Sequence, residues 1–195
     1  MTDARLERWL EALLATPGLT SVRAPADARR VHLDESLELA GAVREGSGPL
    51  VDVGSGGGAP GLPLAAAIPD LDVTLLEASR RKCEFLERAA ADFPNVRVVW
   101  GRAEEQPLEG YGIAVAKALA APPVAVELLL PLVRAGGRAL VLHGPSGDLA
   151  AVRAAAGRLN AEAEDAGRYY VLRKLGPTPP GFPRRPGMAK KRPLA

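Results

Sequence analysis

Residues 49–61 read PLVDVGSGGGAPG: an apolar strand, Pro49–Val53, runs directly into a glycine-rich loop that ends at Gly61. A helix of small residues, Leu62–Ile68, is predicted to follow. Glycine has no Cβ, so a ligand can lie directly on the turn, and the free N–H groups at the start of the next helix point at its negative end. This strand, loop and helix predict an α/β protein with a nucleotide-like cofactor at the turn.

A second strand supports the same site. It spans Asp72–Leu76 and ends at Glu77, about 20 residues beyond the loop, where a carboxylate accepts hydrogen bonds from two ribose hydroxyls. Loop and carboxylate together predict a nucleoside site.

The composition is that of one domain. The chain has 195 residues, 47% of them apolar, which is enough for one core. The single Cys83 excludes an internal disulfide, residues 1–14 do not resemble a signal peptide, and no stretch approaches the ~18–20 apolar residues of a membrane span. We therefore expect a cytoplasmic monomer without a membrane segment or a bound metal.

The charge is unevenly distributed along the chain. Residues 166–195 contain eight Lys/Arg and no Asp or Glu, although the net charge is only +2. Such a segment can neutralise the phosphates of a polyanion, or it can be a solvated tail that aids solubility. If it binds RNA, the expected contacts are Arg184, Arg185, Lys190, Lys191 and Arg192.

Helical periodicity precedes the first strand, and helices alternate with strands after the second. We predict helices at 3–15, 28–43, 62–68, 80–92, 122–133 and 148–160, a short helical start near Glu104, and strands at 49–53, 72–76, 96–100, 113–116, 138–142 and 169–174. This alternation predicts a Rossmann-like fold, a mostly parallel sheet with helices on both faces. The single domain then has a helical lead-in (1–45), a core (46–175) and a basic, proline-rich C-terminal segment (176–195).

Ligands of such sheets bind beyond the carboxyl ends of the strands. The predicted strand ends are followed by Gly54–Gly58, Glu77, Arg102–Glu105, Lys117 and His143. We expect these residues to share one crevice.

The acidic residues favour S-adenosylmethionine over a dinucleotide. Asp52 lies two residues before the first glycine, where a carboxylate would repel a pyrophosphate and attract an ammonium group. Glu104 or Glu105 could accept from an adenine amino group. The alternative is that both residues simply favour the start of a helix.

The segment DVGSGGGAPG at 52–61 is similar to the Asp-x-Gly-Ser-Gly-x-Gly-x-Pro-Gly signature of the bacterial 16S rRNA guanine-N7 methyltransferases, the RsmG or GidB family. Other similar segments are HLDESL at 32–37, KCEFL at 82–86, GRAEE at 101–105 and FPRRPG at 182–187. The likeness covers most of residues 19–194. It implies S-adenosylmethionine as cofactor, a guanine N7 as acceptor, and 16S rRNA or the small ribosomal subunit as partner.

The resemblance and the strand ends together define a candidate site. The predicted cofactor-binding residues are Asp52, Gly54, Ser55, Gly56, Gly58, Pro60, Gly61, Leu62, Glu77, Ala103, Glu104, Glu105 and Lys117. On the acceptor side, Lys117, His143 and His32 are the candidates for a catalytic or orienting role. His32 is a lone histidine on an amphipathic helix, and its alternative role is capping or packing.

The acceptor side departs from the family pattern. The family's acid before Ser-Leu is Glu35 in this chain, and its Arg-Ala is replaced by Lys117-Ala118. The family's Lys-Gly is replaced by His143-Gly144, and an aspartate of the family is replaced by Gly112. A paralogue with another acceptor, or a module that binds the cofactor without transferring methyl, therefore stays an alternative.

Guanine N7 has an in-plane lone pair and no proton, so catalysis requires in-line positioning and electrostatics and no general base. Cys83, in the middle of a helix, is interpreted as a packing residue rather than a nucleophile. Two further alternatives are a small-molecule or protein methyltransferase, which the basic tail and the His32 segment disfavour, and a nicotinamide oxidoreductase.

Overall fold

The computed structural model describes residues 3–144 and 147–195, and its centre is a sheet with the strand order β3-β2-β1-β4-β5-β7-β6. The strands are β1 Leu50–Val53, β2 Val73–Glu77, β3 Val96–Trp100, β4 Tyr111–Lys117, β5 Val133–Leu142, β6 Ala161–Asp165 and β7 Tyr169–Lys174. Strands β1 to β5 run parallel, whereas β7 is antiparallel to both β5 and β6. The predicted fold class, a mostly parallel Rossmann-like sheet, is confirmed.

Helices cover both faces of this sheet. They are α1 Ala4–Ala15, α2 Pro25–Ala28, α3 Glu35–Leu37, α4 Ala40–Arg44, α5 Gly61–Ala67, α6 Arg80–Ala89, α7 Pro122–Leu129, α8 Leu149–Gly157 and α9 Met188–Lys191. Successive strand residues point to opposite faces, so Leu50 belongs to the core under α1 and α5, and Val51 belongs to the core under α7 and α8. No helix of the described residues is long and apolar enough to cross a bilayer.

Two predicted helices end differently in the structure. The helix expected at 28–43 is divided into the end of α2, a π-helical turn (Arg29–Asp34), α3 and α4. The helix expected at 122–133 ends at Leu129 with a 3-10 turn (Leu130–Leu132), because Pro131 cannot donate a helical hydrogen bond. Val133 therefore already begins β5.

The strands differ from the prediction in two places. Strand β5 begins five residues before the expected Arg138, and its pairing with β4 is irregular, since Tyr111 pairs with Val133 and Ile113 with Arg138. Strand β6 was not predicted at all. Its sequence AEAED alternates correctly, with Ala161 and Ala163 buried, but alanine and acidic residues are poor strand formers.

The C-terminal segment packs against the domain. Phe182 and Leu194 lie on the core beneath α7 and α8, and Ala189 of α9 is buried. The ammonium of Lys174, fully buried at the end of β7, donates to the carbonyls of Leu130 and Val133 at 2.8 Å each. The segment is therefore docked through its apolar residues, while its exposed basic side chains leave both a polyanion-binding role and a solubility role as predictions.

Candidate functional site

The glycine loop after β1 is closely packed from both sides. At Gly54, with φ of +72°, a Cβ would lie 2.4 Å from a methyl group of Leu119. At Gly61, the first residue of α5, a Cβ would lie 2.3 Å from a methyl group of Leu75. The indole N–H of Trp9 donates to the Gly57 carbonyl at 2.7 Å, so α1 also holds the loop. Only glycine fits at positions 54 and 61 without rearrangement.

Glu77, the last residue of β2, faces the same loop. Its Oε2 accepts from the Gly56 N–H at 2.9 Å and its Oε1 from the Ser79 N–H at 2.8 Å. Each carboxylate oxygen keeps a lone pair for a further donor. Glu77 also lines a cavity of about 230 Å³, the cofactor cavity, together with Gly54, Lys82, Arg102 and Ala118. A carboxylate with free lone pairs in a cavity at the glycine loop suits a pair of ribose hydroxyls.

Asp52 lies beneath the loop and is 1% exposed. Its Oδ2 accepts from the Gly61 N–H at 3.0 Å, while its Oδ1 has no partner among the described residues. Burial raises the pKa of Asp52 to about 7, although the Gly61 hydrogen bond acts to lower it. The observed contact ties β1 to the start of α5, and a contact with the cofactor stays a prediction.

The acidic pair after β3 forms part of a 3-10 turn, Ala103–Glu105. Ala103 and Glu104 line the cofactor cavity, whereas Glu105 is exposed. Glu104 Oε1 accepts from the Gly187 N–H at 2.9 Å and lies 3.5 Å from Arg102 Nη2. In this structure Glu104 therefore holds the C-terminal segment against the cavity wall, and its contact with adenine stays a prediction.

A second cavity, the acceptor cavity, adjoins the first. It measures about 630 Å³ and is lined by Glu35, Lys117, Ala118, His143 and Arg168, with Leu142, Gly144 and Gly167. Ala118 also lines the cofactor cavity. One residue, Ala118 directly after β4, therefore borders both cavities.

A network of charged groups borders the acceptor cavity. Lys117 Nζ donates to the Val31 carbonyl and, at 2.9 Å, to Glu35 Oε2, while Arg168 Nη2 lies 2.9 Å from Glu35 Oε1. Burial alone would raise the pKa of Glu35, but the hydrogen bond and charge of Lys117, with Arg168, lower it below its usual value. Arg30 Nη1 also lies 3.6 Å from Glu35 Oε1, so Glu35 is ionised among three cations.

Sequence reasoning missed Arg168. It precedes β7, and because β7 runs antiparallel, the start of β7 lies at the edge where β5 ends. A basic residue directly before the final strand was visible in the sequence. Its position at the site, however, can be predicted only once the direction of that strand is known.

The two histidines are held by their neighbours. His143 stacks on Tyr170 at 4.0 Å between ring centroids, and its Nε2 lies 3.3 Å from Asp165 Oδ1. His32 Nε2 lies 2.8 Å from Thr20 Oγ1, and burial followed by the charge of Lys117 lowers its pKa. His143 lines the acceptor cavity, and His32 lies outside its lining. Their catalytic roles stay predictions.

The basic tail residues divide into two groups. The guanidinium of Arg184 contacts both carboxylate oxygens of the buried Glu127 and donates to the Arg192 carbonyl at 2.7 Å. It is therefore engaged within the chain, and its contact with RNA stays a prediction. The side chains of Arg185, Lys190, Lys191 and Arg192 are exposed, and the structure shows no ion pair for them within the part of the chain that it describes.

One departure from the motif pattern has a local cause. A Cβ at Gly112 would lie 1.7 Å from the Ser47 carbonyl oxygen, so an aspartate cannot occupy this position with the present backbone. Across residues 3–144 and 147–195, no group of three His, Cys, Asp or Glu side chains is arranged to hold a metal ion.

Comparison with known proteins agrees with this geometry. The sequence model of the GidB family, described as rRNA small subunit methyltransferase G, matches residues 4–161. The ribosomal RNA small subunit methyltransferase G of Chloroflexus aggregans is 36% identical, with 98% of this chain and 90% of that protein covered. The protein of the same name from Thermotoga neapolitana is 38% identical, with coverages of 96% and 89%.

Among solved structures, a putative S-adenosyl-L-methionine-dependent methyltransferase from Methanococcus maripaludis shares the fold. Its TM-score is 0.56 at 14% identity, with 79% of this chain and 92% of that chain covered. The sequence matches confirm the resemblance drawn from the motifs, and the structural match supports the Rossmann-like fold.

Proposed function

Because the chain belongs to the rRNA small subunit methyltransferase G (GidB) family, we propose that it methylates N7 of a guanine in 16S rRNA. It is an S-adenosylmethionine-dependent rRNA methyltransferase; the atom methylated is the new element of the proposal. The observation that carries it is that Ala118 borders two cavities, one beside the glycine loop and one bordered by charged groups. An rRNA substrate would place the enzyme in the cytoplasm.

The cofactor cavity fits the methyl donor. Glu77 has lone pairs free for the ribose hydroxyls. A side chain at Gly54 would collide with Leu119, which lines the same cavity, so glycine preserves the shape of this wall. Ala103 forms an apolar wall where adenine would lie. Bound S-adenosylmethionine supplies a methyl group on a sulfonium, which the N7 lone pair accepts while the carbon–sulfur electron pair returns to sulfur.

The chain has little acid–base chemistry to perform. N7 carries no proton, so no residue must act as a general base, and the task of the acceptor cavity is to orient the base. Lys117 and Arg168 can contact guanine O6 or a phosphate, and the ionised Glu35 lowers the energy of the positive charge that reaches the purine ring. Arg185, Lys190, Lys191 and Arg192 would contact rRNA phosphates.

The direct test uses small ribosomal subunits that lack base methylation. The protein and S-adenosylmethionine are added, the RNA is digested, and mass spectrometry detects N7-methylguanosine. A Glu77→Ala variant, which loses the ribose carboxylate, is the negative control. Unmodified RNA, with calorimetry showing that the cofactor binds, would instead support the alternative acceptor or the binding module.

A further inference from the structure

We infer that Glu35 reads the Watson–Crick edge of the acceptor base and thereby makes the acceptor cavity selective for guanine. The inference rests on the proposed function, because it takes the occupant of this cavity to be the base that receives the methyl group.

The chemistry of guanine requires an acceptor at this place. A guanine that turns N7 and O6 toward the cofactor presents N1–H and the N2 amino group, two adjacent donors, on another edge. Of the described residues that line the acceptor cavity, Glu35 alone carries a carboxylate. A carboxylate has two acceptor oxygens and no donor, so it can pair with both groups of guanine. Adenine offers only one donor on this edge, beside the acceptor N1.

The contacts of Glu35 keep it ionised and oriented. Its side chain is 15% exposed, with Lys117 on one oxygen and Arg168 on the other, where Arg30 Nη1 also lies at the longer distance of 3.6 Å. Lys117 is 14% exposed and is anchored a second time by the Val31 carbonyl. It therefore fixes the carboxylate from the side of β4.

Arg168 is the partner that can yield to a base. Its side chain is 57% exposed, and its Nε also lies 3.1 Å from Glu38 Oε2. Arg168 can give up its contact with Glu35 Oε1 while it keeps its contact with Glu38. Glu35 Oε1 then keeps only the longer contact with Arg30, whose side chain is 60% exposed, and it can accept from the N2 amino group. Arg168 remains at the cavity edge for O6 or a phosphate.

The test compares two nucleotides that differ in a single group. Guanosine 5′-monophosphate and inosine 5′-monophosphate share N7, O6 and N1–H, but inosine lacks the N2 amino group. Their dissociation constants are measured by calorimetry in the presence of S-adenosylhomocysteine, which permits no transfer. The wild type should bind the guanosine nucleotide about 10- to 100-fold more tightly, the value of one hydrogen bond to a charged group.

Two variants then locate the source of this preference. In Glu35→Gln the preference should fall to about 2-fold or less, because the amide offers a single acceptor. Glu84→Gln is the matched control: Glu84 is an exposed glutamate on α6 that does not line the cavity, so the wild-type ratio should persist. Because Glu35 contacts Lys117, its replacement can also lower the stability of the fold. The urea midpoints and the cofactor binding of both variants are therefore measured as well.

The inference is overturned if the wild type binds both nucleotides equally, or if neither binds at millimolar concentration. It is also overturned if Glu35→Gln keeps the full preference. The wild-type ratio needs no variant, so a poorly folding Glu35→Gln does not remove the test. Production of N7-methylguanosine without a nucleotide preference refutes the role of Glu35 alone, whereas a preference without N7-methylguanosine refutes the proposed function.

Discussion

Replacement of Arg184 by alanine should lower the free energy of unfolding by about 3 kcal/mol. The guanidinium of Arg184 contacts both oxygens of Glu127, whose side chain is only 3% exposed. Removal of one partner of a buried ion pair leaves an uncompensated charge and typically costs about 3–5 kcal/mol. Because 23% of the Arg184 side chain is exposed, we expect a value at the lower end of that range.

A second variant separates the charge from the packing. Glu127→Gln leaves no buried charge, and Arg184 keeps its bond to the Arg192 carbonyl, so the loss should be only about 1 kcal/mol. The double variant should cost less than the sum of the single ones, because the contacting side chains depend on each other.

Urea unfolding followed by circular dichroism measures all three values. The midpoint should fall while the slope with denaturant stays constant, which marks a change in stability alone. Lys191→Ala, an exposed tail residue, is the matched control and should stay within about 0.5 kcal/mol of the wild type. A similarly small effect of Arg184→Ala would mean that the tail is not docked in solution, and Arg184 would again be available to RNA.

Three further predictions follow from the site. Glu77→Ala should weaken S-adenosylmethionine binding about 10- to 100-fold by calorimetry, since hydrogen bonds to a charged group are lost; Glu84→Ala, an exposed acid on α6, should not. Burial raises the pKa of Asp52 to about 7, so the folded state holds a proton that the unfolded state has lost above about pH 4. The stabilising contribution of the protonated Asp52 is complete below that pH and is lost as the pH rises toward 7. Urea midpoints should therefore show that the stability of the wild type falls, relative to that of Asp52→Asn, by about 1 kcal/mol per pH unit. Parallel pH profiles of the two proteins would contradict this. Alanine at Lys190 and Lys191 together should reduce the salt dependence of rRNA affinity by about 0.7–0.9 log units per decade for each lost phosphate contact, measured by filter binding, and an unchanged slope would exclude these lysines from the interface.

The first five strands were predictable because their composition and spacing are strongly typical of a buried parallel sheet. Residues 50–53 are all buried, and the loop that follows them leaves few alternatives to a βα turn. The carboxyl edge follows from this topology, so Glu77, Lys117 and His143 were placed at the correct edge. Strand β6 was not found, because alanine and acidic residues conceal its alternation.

The partners of charged residues were the least predictable part. The sequence shows that Arg184 is basic but not that a buried carboxylate lies 57 residues away in the chain. Likewise, nothing near Glu104 indicates that the amide of Gly187 reaches it. Such contacts depend on where the chain returns, and the local pattern contains no information about that return.

The bond between Glu104 and Gly187 has a consequence for biosynthesis. It joins positions 83 residues apart, so the wall beside the cofactor cavity is finished only after residue 187 of 195 has been translated. At a synthesis rate of about 5–20 residues per second, Glu104 is translated on the order of ten seconds before its partner Gly187. A nascent chain halted before Arg184 lacks both this bond and the Glu127 ion pair, so the buried carboxylate of Glu127 would have no cation beside it.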